Sequence, residues 1–159
     1  MSLLLISGRP GAGKSEFCRW LAAHRDFVHI ETDVEWSPWG QLAAAAGAGT
    51  AATLRDMALA AGPNVALEWG MRMEYLGRVV DLKEVGFEPW WFDGDEPAAR
   101  IGWVRAHSEA GIRAYEIQRD SIAAHAAAIE TVFGDRTIRT ISSGASYLPP
   151  EQIAQIILG

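Results

Sequence analysis

The sequence predicts an α/β fold in which a parallel sheet is covered by helices on both faces. Short apolar runs of strand length alternate along the chain with segments whose apolar residues have helical spacing. A glycine-rich loop joins the first apolar run directly to a helical segment. Polar residues follow the ends of the apolar runs, which is where parallel sheets bind their ligands.

Length and composition favour one globular domain over residues 1–159. Of the 159 residues, 49% are hydrophobic, which is enough to build a core. The net charge of −6, from 20 acids and 14 bases, argues against a general nucleic-acid or membrane-surface partner, since both need basic patches. The one cysteine, Cys18, excludes an intrachain disulfide and is expected in the core. We expect no membrane span, no signal peptide and a cytoplasmic location.

Five apolar runs are predicted to form the strands of the sheet. They lie at residues 3–7, 27–30, 65–69, 87–92 and 137–141. In the fourth run, Pro89 cannot donate a ladder hydrogen bond, so that strand should begin after the proline or contain a bulge. A turn is expected at residues 93–95, directly after this strand.

The segments between the strands are predicted to be helical. They lie at residues 16–23, at two short helices within 41–62, at 71–85, at 96 to about 130, and at 150–158. Alanine, the best helix former, dominates the second segment around a break that contains glycine. Gly86 closes the helix over 71–85, and Gly111 breaks the long segment that follows.

The loop between the first strand and the first helix has the sequence GRPGAGKS and matches the Walker A pattern G-x-x-x-x-G-K-[ST]. Its glycines let backbone N–H groups point at a phosphate, and the helix start adds free N–H groups and the positive end of its dipole. Lys14, expected to face solvent, would reach the outer phosphates, and Ser15 would hold Mg²⁺. The alternative is a glycine-rich turn without a ligand. The predicted nucleotide-binding residues are Gly8, Pro10, Gly11, Ala12, Gly13, Lys14, Ser15 and Glu16.

Acidic side chains end two of the predicted strands. Glu31 and Asp33 are two residues apart, so an extended segment points both to the same side. One carboxylate would hold Mg²⁺ through water, and the other would accept a proton from a hydroxyl acceptor or orient it; the preferred metal ligand is Glu31 and the preferred base is Asp33, with the reverse left open. The alternative is a solvated acidic turn in which Asp33 caps a helix.

Glu68 ends the third apolar run, at the position where phosphate-loop proteins carry an acid near Mg²⁺. It is therefore a candidate metal ligand and a candidate contact for the substrate. The alternative is a glutamate that is hydrogen-bonded to the loop backbone. Arg72, a few residues further on, would reach an anionic acceptor, or would be an exposed arginine at a helix start.

Arginines after the fourth strand are candidates for stabilising a transferring phosphoryl group. They are Arg100, Arg105, Arg113 and Arg119. Arg100 and Arg105 are the preferred catalytic residues, because positive charge over the phosphoryl group stabilises its spread negative charge. A segment that closes over the site would bring this charge in and exclude water. The alternative is a solvated helix face.

An acceptor site is expected beyond the second and third strands. Its candidate residues are Asp33, Trp36, Arg55, Glu68 and Arg72. Trp36, Trp39 and Trp69 would form an aromatic wall for an acceptor, with core packing as the alternative.

Charge in the segment 34–63 indicates what kind of acceptor would bind. The segment holds one base, Arg55, and two acids, Glu35 and Asp56. A mononucleotide normally needs paired cations for its phosphate. The segment therefore favours a neutral or singly charged hydroxyl compound with an apolar face.

With these residues placed, the sequence resembles the small P-loop kinases, a group that includes shikimate kinase, gluconate kinase, chloramphenicol phosphotransferase, zeta-toxin kinases and nucleoside monophosphate kinases. The resemblance covers nearly the whole chain. It rests on GRPGAGKS at 8–15, on Glu31-Thr32-Asp33, on the arginines after strand four and on the ending at 142–151. Residues 68–71 read EWGM where shikimate kinase has a glycine triplet, and Arg100 and Arg105 are five apart where relatives often have four. The resemblance is therefore to the group and to no single member.

The resemblance implies a three-layer P-loop NTPase fold with strand order 2-3-1-4-5, and ATP and Mg²⁺ as cofactors. It implies an acceptor-binding insertion at about 34–63 and a lid at about 96–119. The loop before the last helix would flank adenine, which makes Ser142 and Ser146 nucleotide-binding candidates.

The implied activity is transfer of the γ-phosphate of ATP to a hydroxyl of a small molecule. One alternative is a P-loop ATPase or nucleotide-dependent switch without an acceptor, and another is a nucleotide or nucleoside kinase. A GTPase is disfavoured, because no N/T-K-x-D motif appears and the only lysines are Lys14 and Lys83. The oligomeric state is left open.

Overall fold

A computed structural model describes residues 1–32 and 37–159. The described chain forms a five-stranded sheet with the order β2-β3-β1-β4-β5, and the neighbouring strands pair in parallel. The strands are β1 Ser2–Gly8, β2 Val28–Glu31, β3 Asn64–Glu68, β4 Glu88–Gly94 and β5 Thr137–Ile141. The sheet type and the strand order implied by the resemblance are thus confirmed.

Helices connect the strands throughout the described chain. They are α1 Lys14–His24, α2 Pro38–Ala44, α3 Ala48–Ala61, α4 Arg78–Glu84, α5 Glu96–His107, α6 Ile112–Ala124, α7 Ala126–Phe133 and α8 Pro150–Leu158. Short 3₁₀ turns lie at Met73–Tyr75 and Glu109–Gly111. The break predicted near Gly111 is confirmed, and so is the division of the alanine-rich segment into two helices. No helix within the described ranges is long and apolar enough to cross a bilayer.

Successive side chains of β1 enter two separate cores, one on each face of the sheet. Leu3 and Leu5 belong to one buried cluster, which α3, α4 and α7 complete. Leu4 and Ile6 belong to the other, which is completed by α1 and α8 and includes Cys18. The central strand is therefore buried on both faces, which is typical of a parallel sheet covered by two helical layers.

Pro89 lies inside β4, so the predicted start of this strand after the proline is wrong. The backbone N–H of Trp91 donates to the carbonyl of Arg136 on the β5 side (2.9 Å). Strand N–H groups alternate between the two neighbours, so the nitrogen of Pro89 points to the same side as that of Trp91. Pairing with β5 begins only at Trp91. The proline therefore gives up no ladder hydrogen bond, because it precedes the partner strand.

The helix predicted over 71–85 is shorter in the structure. The segment forms the 3₁₀ turn Met73–Tyr75 before α4 begins at Arg78. Glycines at 70 and 77 flank this turn and weaken helix formation there. Met71 and Met73 are buried in the core, which holds the segment against the sheet.

Two smaller expectations also change. Strand β4 continues through Gly94 in place of the turn expected at 93–95, and Asp95 caps α5 by accepting a hydrogen bond from the Ala98 N–H (3.1 Å). Trp20, expected in the core, is only half-buried and stacks on His24 with ring centroids 5.0 Å apart.

Candidate active site

The glycine-rich loop joins the carboxyl end of β1 to α1, and its glycines are required by close packing. Gly8, Gly11 and Gly13 have φ of 145°, 77° and 87°. A Cβ on Gly8 would lie 2.2 Å from the carbonyl oxygen of Phe92, and one on Gly11 would lie 2.0 Å from that of Ala99. The loop backbone is therefore pressed against β4 and α5, an arrangement that only glycine allows.

Side chains from distant parts of the chain hold this loop in place. The Thr140 hydroxyl donates to the carbonyl of Ala12 (2.8 Å), and the Tyr147 hydroxyl donates to that of Gly11 (2.8 Å). Arg9 Nε donates to Asp93 Oδ1 (2.8 Å). Arg9, Thr140 and Tyr147 were not predicted as site residues, because each contacts a partner far away in sequence.

Lys14 is nearly buried, with 9% of its surface exposed, so the expectation of a solvent-facing lysine is wrong. Its Nζ donates to the carbonyl oxygen of Arg9 (3.0 Å) and to that of Gly8 (3.3 Å). The ammonium group therefore lies within the loop, and its charge is held beside the backbone that the motif predicts will bind phosphate.

Glu68, at the end of β3, is linked to α1 and β2. It is 1% exposed; Ser15 Oγ donates to its Oε1 (2.5 Å), and its Oε2 lies 2.8 Å from His29 Nε2. Burial works against ionisation of this carboxyl. The hydrogen bonds from His29 and Ser15, together with the charge of Lys14, nevertheless hold the pKa of Glu68 below its ordinary value. A buried carboxylate is thus kept charged beside the predicted Mg²⁺ ligand Ser15.

The lowered pKa of Glu68 predicts a pH dependence of stability. A carboxyl whose pKa is lower in the folded state than in the unfolded state stabilises the protein at pH values above its unfolded-state pKa. This contribution is lost as the pH falls through the folded-state pKa. The ordinary pKa of a glutamate carboxyl is 4.5. As the pH falls below this value, we expect the free energy of unfolding to decrease more steeply for the wild type than for Glu68→Gln. Urea unfolding at a series of acidic pH values measures this difference.

Glu130→Gln is the matched control, because Glu130 is exposed on α7. It should follow the wild-type curve. If the free energy of unfolding changed with pH at the same slope in the wild type and in Glu68→Gln, folding would not lower the pKa of Glu68.

A cavity of about 680 Å³ opens above the loop. As the candidate place for the nucleotide that the loop motif predicts, it is called the nucleotide cavity. Among its lining residues are Pro10, Gly11, Gly13, Lys14, Ser15, Glu16, Arg19, Glu31, Glu68, Gly102, Trp103, Arg105, His107 and Tyr147. The fold thus brings loop residues, two of the predicted acids and Arg105, one of the predicted catalytic arginines, around one space. Arg19, Trp103, His107 and Tyr147 were not predicted.

A second cavity of about 550 Å³ adjoins the first. As the candidate place for the predicted acceptor, it is called the acceptor cavity. It lies between the segment after β3 and α6, and its lining includes Gly8, Met71, Arg72, Met73, Glu74, Ala114, Ile117, Ser121, Ile122 and His125. Gly70 and Gln118 line both cavities. A group at their junction therefore lies within reach of molecules in either space.

Other predicted site residues lie elsewhere in the described chain. Ala12 is a buried residue of the loop itself. Ser142 and Ser146 form an exposed turn in which the Ser146 N–H donates to Ser142 Oγ (3.3 Å). Arg55 pairs with Asp56 on α3 at 3.4 Å. None of these is among the described residues that line either cavity.

The remaining candidates are two arginines and two residues that follow β2 in the sequence. Arg100 lies on α5 but, unlike Arg105, is not among the described residues lining the cavities. Arg72 is exposed, pairs with Glu74 (2.9 Å) and donates to the Tyr75 hydroxyl (2.9 Å). Asp33 and Trp36 lie outside the described residues.

The tryptophans proposed as an aromatic wall take core positions where they are described. Trp69 is 4% exposed and stacks on Tyr75, and Trp39 packs against the same buried cluster. The core alternative therefore holds for both side chains.

The residues beside the loop fit Mg²⁺, which prefers oxygen ligands. The Ser15 hydroxyl and the Glu68 carboxylate are in direct contact, and Glu31 lines the same cavity. This set supplies one neutral oxygen and two carboxylates beside a loop suited to phosphates.

No family model matches the sequence, and no curated protein matches it. Solved structures do match it over almost its full length. A shikimate kinase from Bacteroides thetaiotaomicron is 12% identical, with 99% of this chain and 99% of that chain covered and a TM-score of 0.62. A gluconokinase from Sinorhizobium meliloti is 14% identical, with 97% and 87% covered and a TM-score of 0.57.

A third match is to deoxyadenosine kinase from M. mycoides, solved with bound dATP. It is 14% identical, with 98% and 97% of the two chains covered and a TM-score of 0.52. Identities this low carry the backbone architecture and leave activity to be argued from the site. The protein thus has the fold of the small P-loop kinases, with its glycine-rich loop at the carboxyl edge of the sheet.

Proposed function

We propose that the protein is an ATP-dependent phosphotransferase that moves the γ-phosphate of ATP to a hydroxyl of a small molecule. The observation that carries this proposal is the pair of adjoining cavities, which share Gly70 and Gln118. An ATPase or a nucleotide-dependent switch needs only the nucleotide cavity. The second cavity gives an acceptor a place directly beside the phosphate loop.

Residues of the loop would bind and orient the phosphates. Backbone N–H groups of the loop and of the first turn of α1 donate to phosphate oxygens, and Lys14 exchanges its loop carbonyl partners for the outer phosphates. Ser15, Glu68 and Glu31 would hold Mg²⁺, which neutralises charge on the phosphates when bound.

Phosphoryl transfer needs positive charge over the reacting group and a base for the acceptor hydroxyl. Arg105, on α5 beside the nucleotide cavity, would stabilise the negative charge of the transition state. Asp33 would take the proton as the acceptor oxygen bonds to phosphorus and the bond to ADP breaks. The segment 96–119 would act as the lid that excludes water.

The lining of the acceptor cavity favours a neutral or singly charged acceptor with an apolar face. Met71, Met73 and Ile122 give it a buried apolar wall. Among its described lining residues, the charge of Arg72 is balanced by Glu74, 2.9 Å away. Paired cations suited to a phosphomonoester are not present among the described lining residues, so sugars, sugar acids, nucleosides or hydroxylated antibiotics fit better than mononucleotides.

A coupled ADP-release assay over a panel of neutral hydroxyl compounds and nucleoside monophosphates tests this function. We expect saturable activity on a member of the first group and little with ATP alone. Activity confined to a nucleoside monophosphate would overturn the acceptor class. ATP turnover that is identical with and without every acceptor would instead favour the ATPase.

A variant of the acceptor cavity sharpens the same assay. Ala114→Phe fills part of the acceptor cavity and should raise the acceptor KM about tenfold, which corresponds to a loss of about 1.4 kcal/mol of binding free energy. The KM for ATP should stay unchanged. Ala123→Phe places the same side chain at an exposed position of α6 that is not among the described residues lining the cavity, and it should leave both constants unchanged.

A further inference from the structure

Three side chains of different chemistry meet beneath the contact between Ser15 and Glu68. They are Cys18 on α1, His29 on β2 and Glu68 on β3. One ligand atom from each, the thiol sulfur, a ring nitrogen and a carboxylate oxygen, lies within 4.8 Å of the others. Cys18 is fully buried, Glu68 is 1% exposed and the His29 side chain is 15% exposed. The phosphotransferase proposal gives no role to Cys18 or His29.

We propose that Cys18, His29 and Glu68 form a zinc-binding site. Sulfur, imidazole nitrogen and carboxylate oxygen are the ligands that zinc takes in proteins, whereas Mg²⁺ takes oxygen alone. Zinc bonds of about 2.0–2.3 Å place ligand atoms roughly 3.5 Å apart. His29 Nε2 and Glu68 Oε2 are already 2.8 Å apart, and the whole set spans no more than 4.8 Å. Side-chain shifts of about 1 Å close the site around an ion.

The surroundings of the cluster give zinc a way in. Glu68 lines the nucleotide cavity, so an ion reaches the cluster from that side and keeps a position for water. Burial raises the pKa of the Cys18 thiol, so without metal this side chain packs as a neutral core residue. Coordination replaces the S–H bond by an S–Zn bond and releases the proton to solvent.

Zinc at this cluster would change the nucleotide site, because Glu68 belongs to both. The ion would draw the carboxylate away from Ser15, and we expect zinc-loaded protein to bind Mg–ATP more weakly. This consequence rests on the proposed function. Zinc binding itself does not rest on the proposed function, so zinc binding and phosphoryl transfer are tested by separate measurements.

Titration of the metal-free full chain with Co²⁺ and Zn²⁺ tests the site. Co²⁺ replaces zinc and gives a thiolate-to-metal charge-transfer absorption band when sulfur is bound. We expect one equivalent of Co²⁺ with this band, and displacement of that Co²⁺ by one equivalent of Zn²⁺. Because Cys18 is the only cysteine, the band in the wild type alone reports its ligation, whether or not a variant folds.

Variants separate the three-residue site from zinc bound at surface histidines. Competition with a chromophoric chelator should show loss of the bound zinc in Cys18→Ala and at least about tenfold weaker binding in His29→Gln. His24→Gln, the same change at an exposed histidine of α1, should bind as the wild type does. A missing charge-transfer band in the wild type would overturn the proposal. So would zinc affinity that is equal in wild type and a folded Cys18→Ala.

Discussion

Replacing Lys14 by alanine is expected to reduce phosphoryl transfer by about 10²–10³-fold, the usual loss when one charge-stabilising donor is removed from a reaction centre. Lys14 is the lysine of the loop, and its ammonium group is held by the carbonyls of Gly8 and Arg9. Lys14 lines the nucleotide cavity, so water can replace the ammonium group there and the fold should persist. Turnover in the ADP-release assay and the thermal unfolding midpoint together measure the effect.

The chain supplies a matched control, because its only other lysine is Lys83. Lys83 lies exposed in the last turn of α4. Lys83→Ala should retain wild-type turnover. A folded Lys14→Ala with wild-type activity would show that the loop does not act on the reacting phosphate.

Changing Asp33 to asparagine is expected to lower kcat by about 10²–10⁴-fold, the range for loss of a general base. The KM for ATP should stay nearly the same, since the phosphate loop is intact. Asp33 directly follows Thr32, whose N–H and hydroxyl both donate to the Glu68 carbonyl (2.9 and 2.7 Å). Thr32, the residue directly before Asp33 in the sequence, is therefore fixed at the carboxyl edge of the sheet.

Asp56→Asn is the control for this change, because Asp56 is an exposed aspartate on α3. It should leave kcat unchanged. A pH–rate profile adds a second readout, since the acidic limb that reports the base should disappear in Asp33→Asn. Unaltered kcat in Asp33→Asn would return this residue to a capping role.

Local patterns in the sequence were enough to predict the architecture. Apolar runs of strand length alternate along the chain with segments whose apolar residues have helical spacing. This alternation favours a parallel sheet with two helical layers. The spacing of the glycines, Lys14 and Ser15 predicts a phosphate loop because a single short segment carries its whole geometry. Glu68 was found for a similar reason, as the acid that ends an apolar run at the carboxyl edge of the sheet.

Features that depend on two distant segments were beyond these patterns. Tyr147 reaches Gly11 across 136 residues, and His29 reaches Glu68 across 39. No periodicity encodes such a contact, since it depends on how strands that are not adjacent in sequence lie beside each other. The position of Pro89 was misjudged for this reason: its cost depends on where β5 begins.

The surroundings of the second cavity show the same division. The resemblance implies an acceptor-binding insertion at 34–63, and the described helices α2 and α3 of that segment bury Ala43, Leu54 and Ala58 in the core. The second cavity is lined by the segment after β3 and by α6, which only the folded chain brings together. Sequence alone thus determined the sheet, the loop and the acids at the strand ends, because short-range spacing specifies them. The tertiary structure decided which side chains surround the two cavities and placed Cys18 beside His29 and Glu68, because packing between distant segments sets those positions.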